Sequence, residues 1–129
     1  MATPPLPRSY LFVPADRPER FGKALASEAD MVVIDLEDAV AADRKAVARA
    51  AVAAFLADAG AAALSRCAIR INDQTTEWHR QDLAIAGLSA AGALMCPKAE
   101  DEAALAAIAA ACAGPALLPL VESARGVLA

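Results

Sequence analysis

Met31-Val-Val-Ile-Asp35-Leu-Glu37-Asp38-Ala-Val40 is the stretch on which the reading of the whole chain turns. Val32, Val33 and Ile34 are β-branched and apolar, as in a strand buried on both faces, and the run then gives way to Asp35, Glu37 and Asp38. A buried parallel strand opens to a ligand only at its carboxyl end, so a strand that ends in acid marks a site. Three carboxylates this close repel one another unless a cation or basic side chains stand nearby. The stretch asks for a metal or a basic partner.

Working outward toward the N-terminus, Tyr10-Leu-Phe-Val-Pro14 reads as a short strand closed by proline. Asp16-Arg-Pro18-Glu19 reads as a helix start, with Asp16 as N-cap, Glu19 in capping-box position and Pro18 where its missing N–H is harmless. Phe21, Ala24 and Leu25 give this helix an inward stripe as far as Glu28. Residues 1–7 are a Pro-rich leader without the apolar core of a signal peptide.

Toward the C-terminus, a helix is expected from Asp43 to Ala59, with Val47, Ala51, Ala54 and Phe55 inward and Gly60 as its stop. Cys67-Ala-Ile-Arg-Ile71 is a third strand that delivers Asn72 and Asp73, and a helix through Trp78, Leu83 and Leu88 follows. Ala93-Leu-Met-Cys-Pro97 is a fourth strand followed by Lys98, Glu100 to Cys112 is a helix stopped by Gly114-Pro115, and Ala116 to Val121 is a fifth strand that runs into Glu122. Apolar strands alternating with helices mean a parallel sheet covered on both faces. After the first strand, Val13-Pro-Ala-Asp-Arg17 carries no glycine-rich phosphate fingerprint, which disfavours a doubly wound sheet. The expected fold is α/β, of the parallel (β/α) TIM-barrel type, with residues 8–129 forming about the first half of a (β/α)8 barrel.

Composition narrows the function. A net charge of −4 with no basic run argues against nucleic acid as a partner. The Ala-rich stretches carry Asp, Arg and Lys at helical spacing, which a bilayer would not accept, so a cytoplasmic protein with no membrane partner is expected. Cys67, Cys96 and Cys112 lack CxxC spacing and read as reduced, mostly buried thiols.

Five motifs in order, Arg8-Ser-Tyr-Leu-Phe-Val-Pro-Ala-Asp-Arg-Pro-Glu-Arg-Phe21, Asp35-Leu-Glu-Asp-Ala-Val40, Arg70-Ile-Asn72, Pro97-Lys98 and Val121-Glu-Ser-Ala-Arg-Gly-Val127, resemble the citrate lyase β-subunit branch of the HpcH/HpaI aldolase superfamily. The resemblance implies a Mg2+-dependent lyase that cleaves or forms a carbon–carbon bond in a 3-hydroxyacyl-CoA of the citryl-, malyl- or citramalyl-CoA type, by way of an acetyl-CoA enolate and a 2-oxoacid. It implies Glu122 as metal ligand, and Glu37 and Asp38 as acidic residues near the metal that act through its waters or by orienting Arg70 and Lys98. It implies Arg70, Asn72 and Lys98 as substrate-binding residues, with Arg70 also stabilising oxyanion charge, and Phe12, Arg17 and Lys23 as contacts to CoA. It further implies a homo-oligomer, trimer or hexamer.

The resemblance also implies a second metal-ligand aspartate, at a later strand end than any in these 129 residues. A non-catalytic remnant or regulatory subunit that keeps the fold is therefore an alternative for this chain alone. A metal-dependent aldolase on free 2-oxoacids is another, and it would make no use of Arg17 and Lys23. Plain structural readings stand beside these: Asp38 as a helix cap, Arg70 as an ion-pair partner of Asp35 or Glu37, Lys98 as a surface lysine and His79 as a helix residue without catalytic role. Glu122 resists such a reading, since a buried strand-end carboxylate is costly without a partner.

Overall fold

The strands are Tyr10–Pro14 (β1), Met31–Asp35 (β2), Cys67–Arg70 (β3), Ala93–Cys96 (β4) and Ala116–Pro119 (β5), all parallel and paired in the order β1-β2-β3-β4-β5. The structure is a computed structural model, and it describes residues 6–122 and 124–128. Strand order decides between the two α/β arrangements. A doubly wound sheet reverses direction at a switch point, whereas here each strand lies beside the next in sequence, the winding of a barrel. The expected half of a (β/α)8 barrel is what forms.

The helices are α1 (Phe21–Leu25), α2 (Lys45–Asp58), α3 (Ala61–Ser65), α4 (His79–Leu83), α5 (Glu102–Ala111) and α6 (Ala124–Leu128), with 3-10 turns at Pro18–Arg20, Ala42–Arg44 and Leu88–Ala90. Among the described residues, no helix is long and apolar enough to cross a membrane. Strand alternation makes two apolar layers. Val13, Val32, Ile34, Ile69 and Leu94 pack outward with Phe21, Val52, Leu56 and Ile108 of the helices, while Met31, Val33, Ala68, Ala93 and Met95 form the inner face.

Several local expectations are corrected. Asp16 does not cap a helix: Arg17 occupies the N-cap position without a side-chain bond, and Asp16 pairs with Arg44 at 3.3 Å. The Asp16 and Glu19 capping box is therefore not formed. The inward stripe of α2 is Lys45, Ala48, Val52 and Leu56, not the stripe through Val47 and Ala54; Val47 is 48% exposed, Ala54 is exposed, and Ala51 and Phe55 are half-buried. Gly60 is not a left-handed stop either, because Ala59 ends α2 in extended conformation and Gly60 opens α3, a helix the sequence reading left out. The helix expected through Leu88 breaks after Leu83, and Gly87 turns at φ 80°, a conformation that favours glycine, before a 3-10 turn begins at Leu88.

Cys67, Cys96 and Cys112 are free and buried, as expected. Burial pushes the Cys67 and Cys96 thiols up to about 11, and that of Cys112 upward as well. Thiolate is the reactive form, so a thiol reagent at pH 8 is expected to leave all three unlabelled for many minutes in the native protein. After denaturation all three label at once; rapid labelling of the native chain would contradict this packing.

Candidate functional site

Alternation and register bring the site together. Asp35 continues the inner face of Met31 and Val33 on β2, Arg70 continues that of Ala68 on β3, and the two residues are direct register partners. An acid and a guanidinium so placed form a fork: Arg70 Nε donates to Asp35 Oδ1 at 2.8 Å and Nη2 to Oδ2 at 2.5 Å. Arg70 Nη1 stands 3.4 Å from Glu37 Oε1, and the Phe12 ring lies under the guanidinium at 4.9 Å. Arg70 is thus an ion-pair partner of both acids. Of its five N–H groups, two bind Asp35, which leaves three to serve Glu37 and a ligand.

Asp35 also builds the turn after β2. The same carboxylate accepts from Glu37 N at 2.8 Å and Ala39 N at 3.1 Å, so it aims the Glu37 side chain. Asp35 and Glu37 are buried, whereas Asp38 is exposed. Asp38 caps no helix, since Ala41 holds the N-cap position of the next turn. Glu37 Oε1 is a buried oxygen without a hydrogen-bond partner among the described residues. Burial pushes the Glu37 carboxyl up, Arg70 pulls it back, and the Asp38, Lys98 and Glu122 charges also act on it.

Glu122 does not have the buried position argued for it from sequence: it is exposed, three residues beyond the end of β5, and its Oε1 accepts from Lys98 N at 2.9 Å. Lys98 has φ 51°, a left-handed conformation unusual for a side-chain-bearing residue. Its own side chain is exposed. Backbone strain of this kind gathers at ligand sites.

Asn72 is placed differently from the rest. Its Nδ2 donates to Leu36 O at 3.1 Å and Asp82 Oδ2 at 2.7 Å, and its Oδ1 accepts from Lys45 Nζ at 3.0 Å, so the whole amide is engaged beneath the mouth. Around it stand Asp82, Lys45 and Arg49, which sequence reasoning missed, and His79, expected as a helix residue without catalytic role. Asp82, 0% exposed, accepts from Asn72 N and lies 3.8 Å from Arg49; burial pushes its carboxyl up against the pull of Asn72, Arg49 and Lys45. His79 Nδ1 meets Asn72 O at 2.7 Å, which makes that nitrogen the donor, since a carbonyl only accepts. A faint signal existed: Lys45, Arg49 and Val52 share one face of a helix, spaced four and three apart.

Phe12, Arg17 and Lys23 are not gathered into one niche. Phe12 lies by Arg70 on the inner face, Arg17 is exposed above β1, and Lys23 borders a groove on the opposite face with Leu11, Val13 and Arg20.

The donors at this end of the sheet, Glu37, Asp38 and Glu122, are all oxygen, which suits a hard cation. Among the described residues, no three His, Cys, Asp or Glu groups converge on one point as a ready cage. Glu37 Oε1, ion-paired to Arg70 but without a hydrogen bond among the described residues, fits a water held by such a cation, and the remaining positions would stay open to substrate.

Fold and site together define a half-barrel with an arginine–carboxylate cluster at the carboxyl ends of its strands. Residues 8–129 match the HpcH/HpaI aldolase/citrate lyase family, and the chain belongs to it. A (3S)-malyl-CoA thioesterase of Cereibacter sphaeroides is 36% identical over 121 residues, 94% of this chain and 42% of that protein. A citrate lyase β subunit of M. tuberculosis, solved with oxaloacetate and magnesium, superposes with a TM-score of 0.77 at 40% identity, over 92% of this chain and 49% of that one. The protein CitE of the same organism, solved with magnesium, acetoacetate and coenzyme A, gives 0.77 at 39% identity, over 92% of this chain and 41% of that one. The chain spans somewhat less than half the length of these relatives.

Proposed function

We propose that this protein acts on a 3-hydroxyacyl-CoA and breaks its C2–C3 bond. The bonding pair becomes an acyl-CoA enolate that takes up a proton, the hydroxyl loses its proton, and the products are acetyl-CoA and a 2-oxoacid. The single observation that carries this reading is the Arg70 fork, fixed by Asp35 and Phe12, beside a Glu37 oxygen that is ion-paired to Arg70 and has no hydrogen-bond partner among the described residues. Such a guanidinium is preorganised to grip a carboxylate and to stabilise oxyanion charge next to it.

Magnesium, when bound at Glu122 with Glu37 and Asp38 holding its waters, would polarise the oxoacid carbonyl. Lys98 supplies positive charge at the same mouth. Phe12, Arg17 and Lys23 are read as CoA contacts, the two cations as phosphate partners, and that assignment requires the cofactor tail to reach around the β1 edge. Cytoplasmic location and assembly as a homo-oligomer belong to the same reading.

The similarity to a malyl-CoA thioesterase favours a second reading, in which water attacks the thioester carbonyl instead. Products separate the two. Incubated with Mg2+ and malyl-CoA or citramalyl-CoA, a lyase releases acetyl-CoA with glyoxylate or pyruvate in equal amounts, and a thioesterase releases free CoA with the intact hydroxyacid. The lyase products are expected, abolished by chelation and lowered by about 100-fold in Glu122→Gln. Free CoA alone would transfer the assignment to hydrolysis, and neither product would leave the non-catalytic alternative.

A further inference from the structure

Lys45 opens α2 as a lysine only 5% exposed, and its three N–H donors all have acceptors: Leu36 O and Glu37 O at 2.7 Å each and Asn72 Oδ1 at 3.0 Å. The Trp78 ring covers the ammonium at 4.9 Å. A buried ammonium is an expensive way to fill space, and an apolar side chain of similar length would pack there at less cost. Its position makes sense through what it holds. Two of its acceptors are consecutive carbonyls of the turn that carries Glu37, while Asp35 grips the amides of Glu37 and Ala39 in the same turn. The Glu37 carbonyl also accepts from Val40 N at 3.2 Å, so one oxygen anchors both the turn and the lysine. Asn72 then links this clamp to Asp82 and so to α4.

We propose that Lys45 is a positioning residue: by clamping the Leu36 and Glu37 carbonyls from beneath, it sets the direction in which the Glu37 carboxylate meets Arg70 and the ligand. This rests on the function proposed above and assigns Lys45 no contact with substrate.

Lys45→Met, which keeps length and removes the donors, is compared with Val52→Ala, a packing loss on the same helix face. The first readout needs no ligand: hydrogen exchange of the Glu37, Ala39 and Val40 amides. Lys45→Met is expected to speed it at least 10-fold more than Val52→Ala does. The second is the affinity for oxaloacetate with Mg2+, expected to fall about 10- to 100-fold in Lys45→Met and to hold in Val52→Ala. Should Lys45→Met not fold, Lys45→Gln, which keeps two donors, is read on the same measurements against the same control. Equal exchange in the lysine and valine variants, or unchanged affinity in the lysine variant, overturns the proposal. A wild-type protein that binds no oxoacid would sink the function instead, and the exchange result would still decide whether Lys45 holds the turn.

Discussion

Arg70→Met is expected to remove about 3–5 kcal/mol of folding stability, because it leaves the buried carboxylates of Asp35 and Glu37 facing each other without their cation. That is a large share of what a domain of this size has to lose. The loss is read from the midpoint of urea unfolding followed by circular dichroism. Arg70→Lys keeps the charge and gives up the fork, since an ammonium cannot match the two parallel bonds to Asp35. It should fold, with a loss nearer 1–2 kcal/mol. If Arg70→Met is as stable as the wild type, the guanidinium is a surface group and does not hold Asp35 and Glu37 together.

Gly92→Ala carries the second large effect, about 3 kcal/mol or roughly 10 °C in melting temperature. A methyl at Gly92 would lie 2.7 Å from Ser65 O, 2.9 Å from Leu64 O and 3.1 Å from Cys67 O, all backbone atoms without freedom to swing aside. The residue cannot retreat, because its N–H donates to Leu64 O at 2.9 Å and its carbonyl accepts from Ala116 N at 3.1 Å. It clips the end of α3 and the start of β5 to the start of β4. Gly22→Ala is the control: nothing lies within 4 Å of the added methyl, and in α1 the change should gain about 0.5–1 kcal/mol. Equal effects at the two glycines would contradict the close approach at Gly92.

The strands were legible because their signal is strong. Val32, Val33 and Ile34 can be little else, and polar residues mark the ends of β2 and β3, whereas β5 stops at Pro119, short of the Val121 expected for it. Helix faces were harder to read, for a physical reason: α2 and α5 are built largely from alanine, which is small enough to sit on either side. In α2 the branched apolar Val47 looks like the inward residue, whereas the buried one is Lys45, held by three hydrogen bonds that no local pattern encodes. Asp82 was hidden the same way, since Arg80-Gln-Asp82 looks like a solvated helix turn and its burial depends on Asn72, ten residues away.

At the site, the residue types pointed to the chemistry, and the distances between elements did not show. Asp35 and Arg70 become neighbours only through strand register, and Phe12 joins them only because β1 lies next to β2. Burial at Glu122 would need a closed strand end, whereas the glutamate is exposed and reaches back to Lys98 N. Its proposed part in holding magnesium now rests on position and on oxygen chemistry.

The carboxyl ends of β2, β3 and β5 are proposed to form one cation-dependent site for a 2-oxoacid. Calorimetric titration of the purified protein with oxaloacetate, with and without Mg2+, tests it most directly. Saturable binding that appears only with Mg2+ and is lost in both Arg70→Lys and Glu122→Gln is the result expected. Binding that is indifferent to Mg2+ or to both substitutions would mean that the oxoacid is held elsewhere and that the arginine–carboxylate cluster is a structural ion pair.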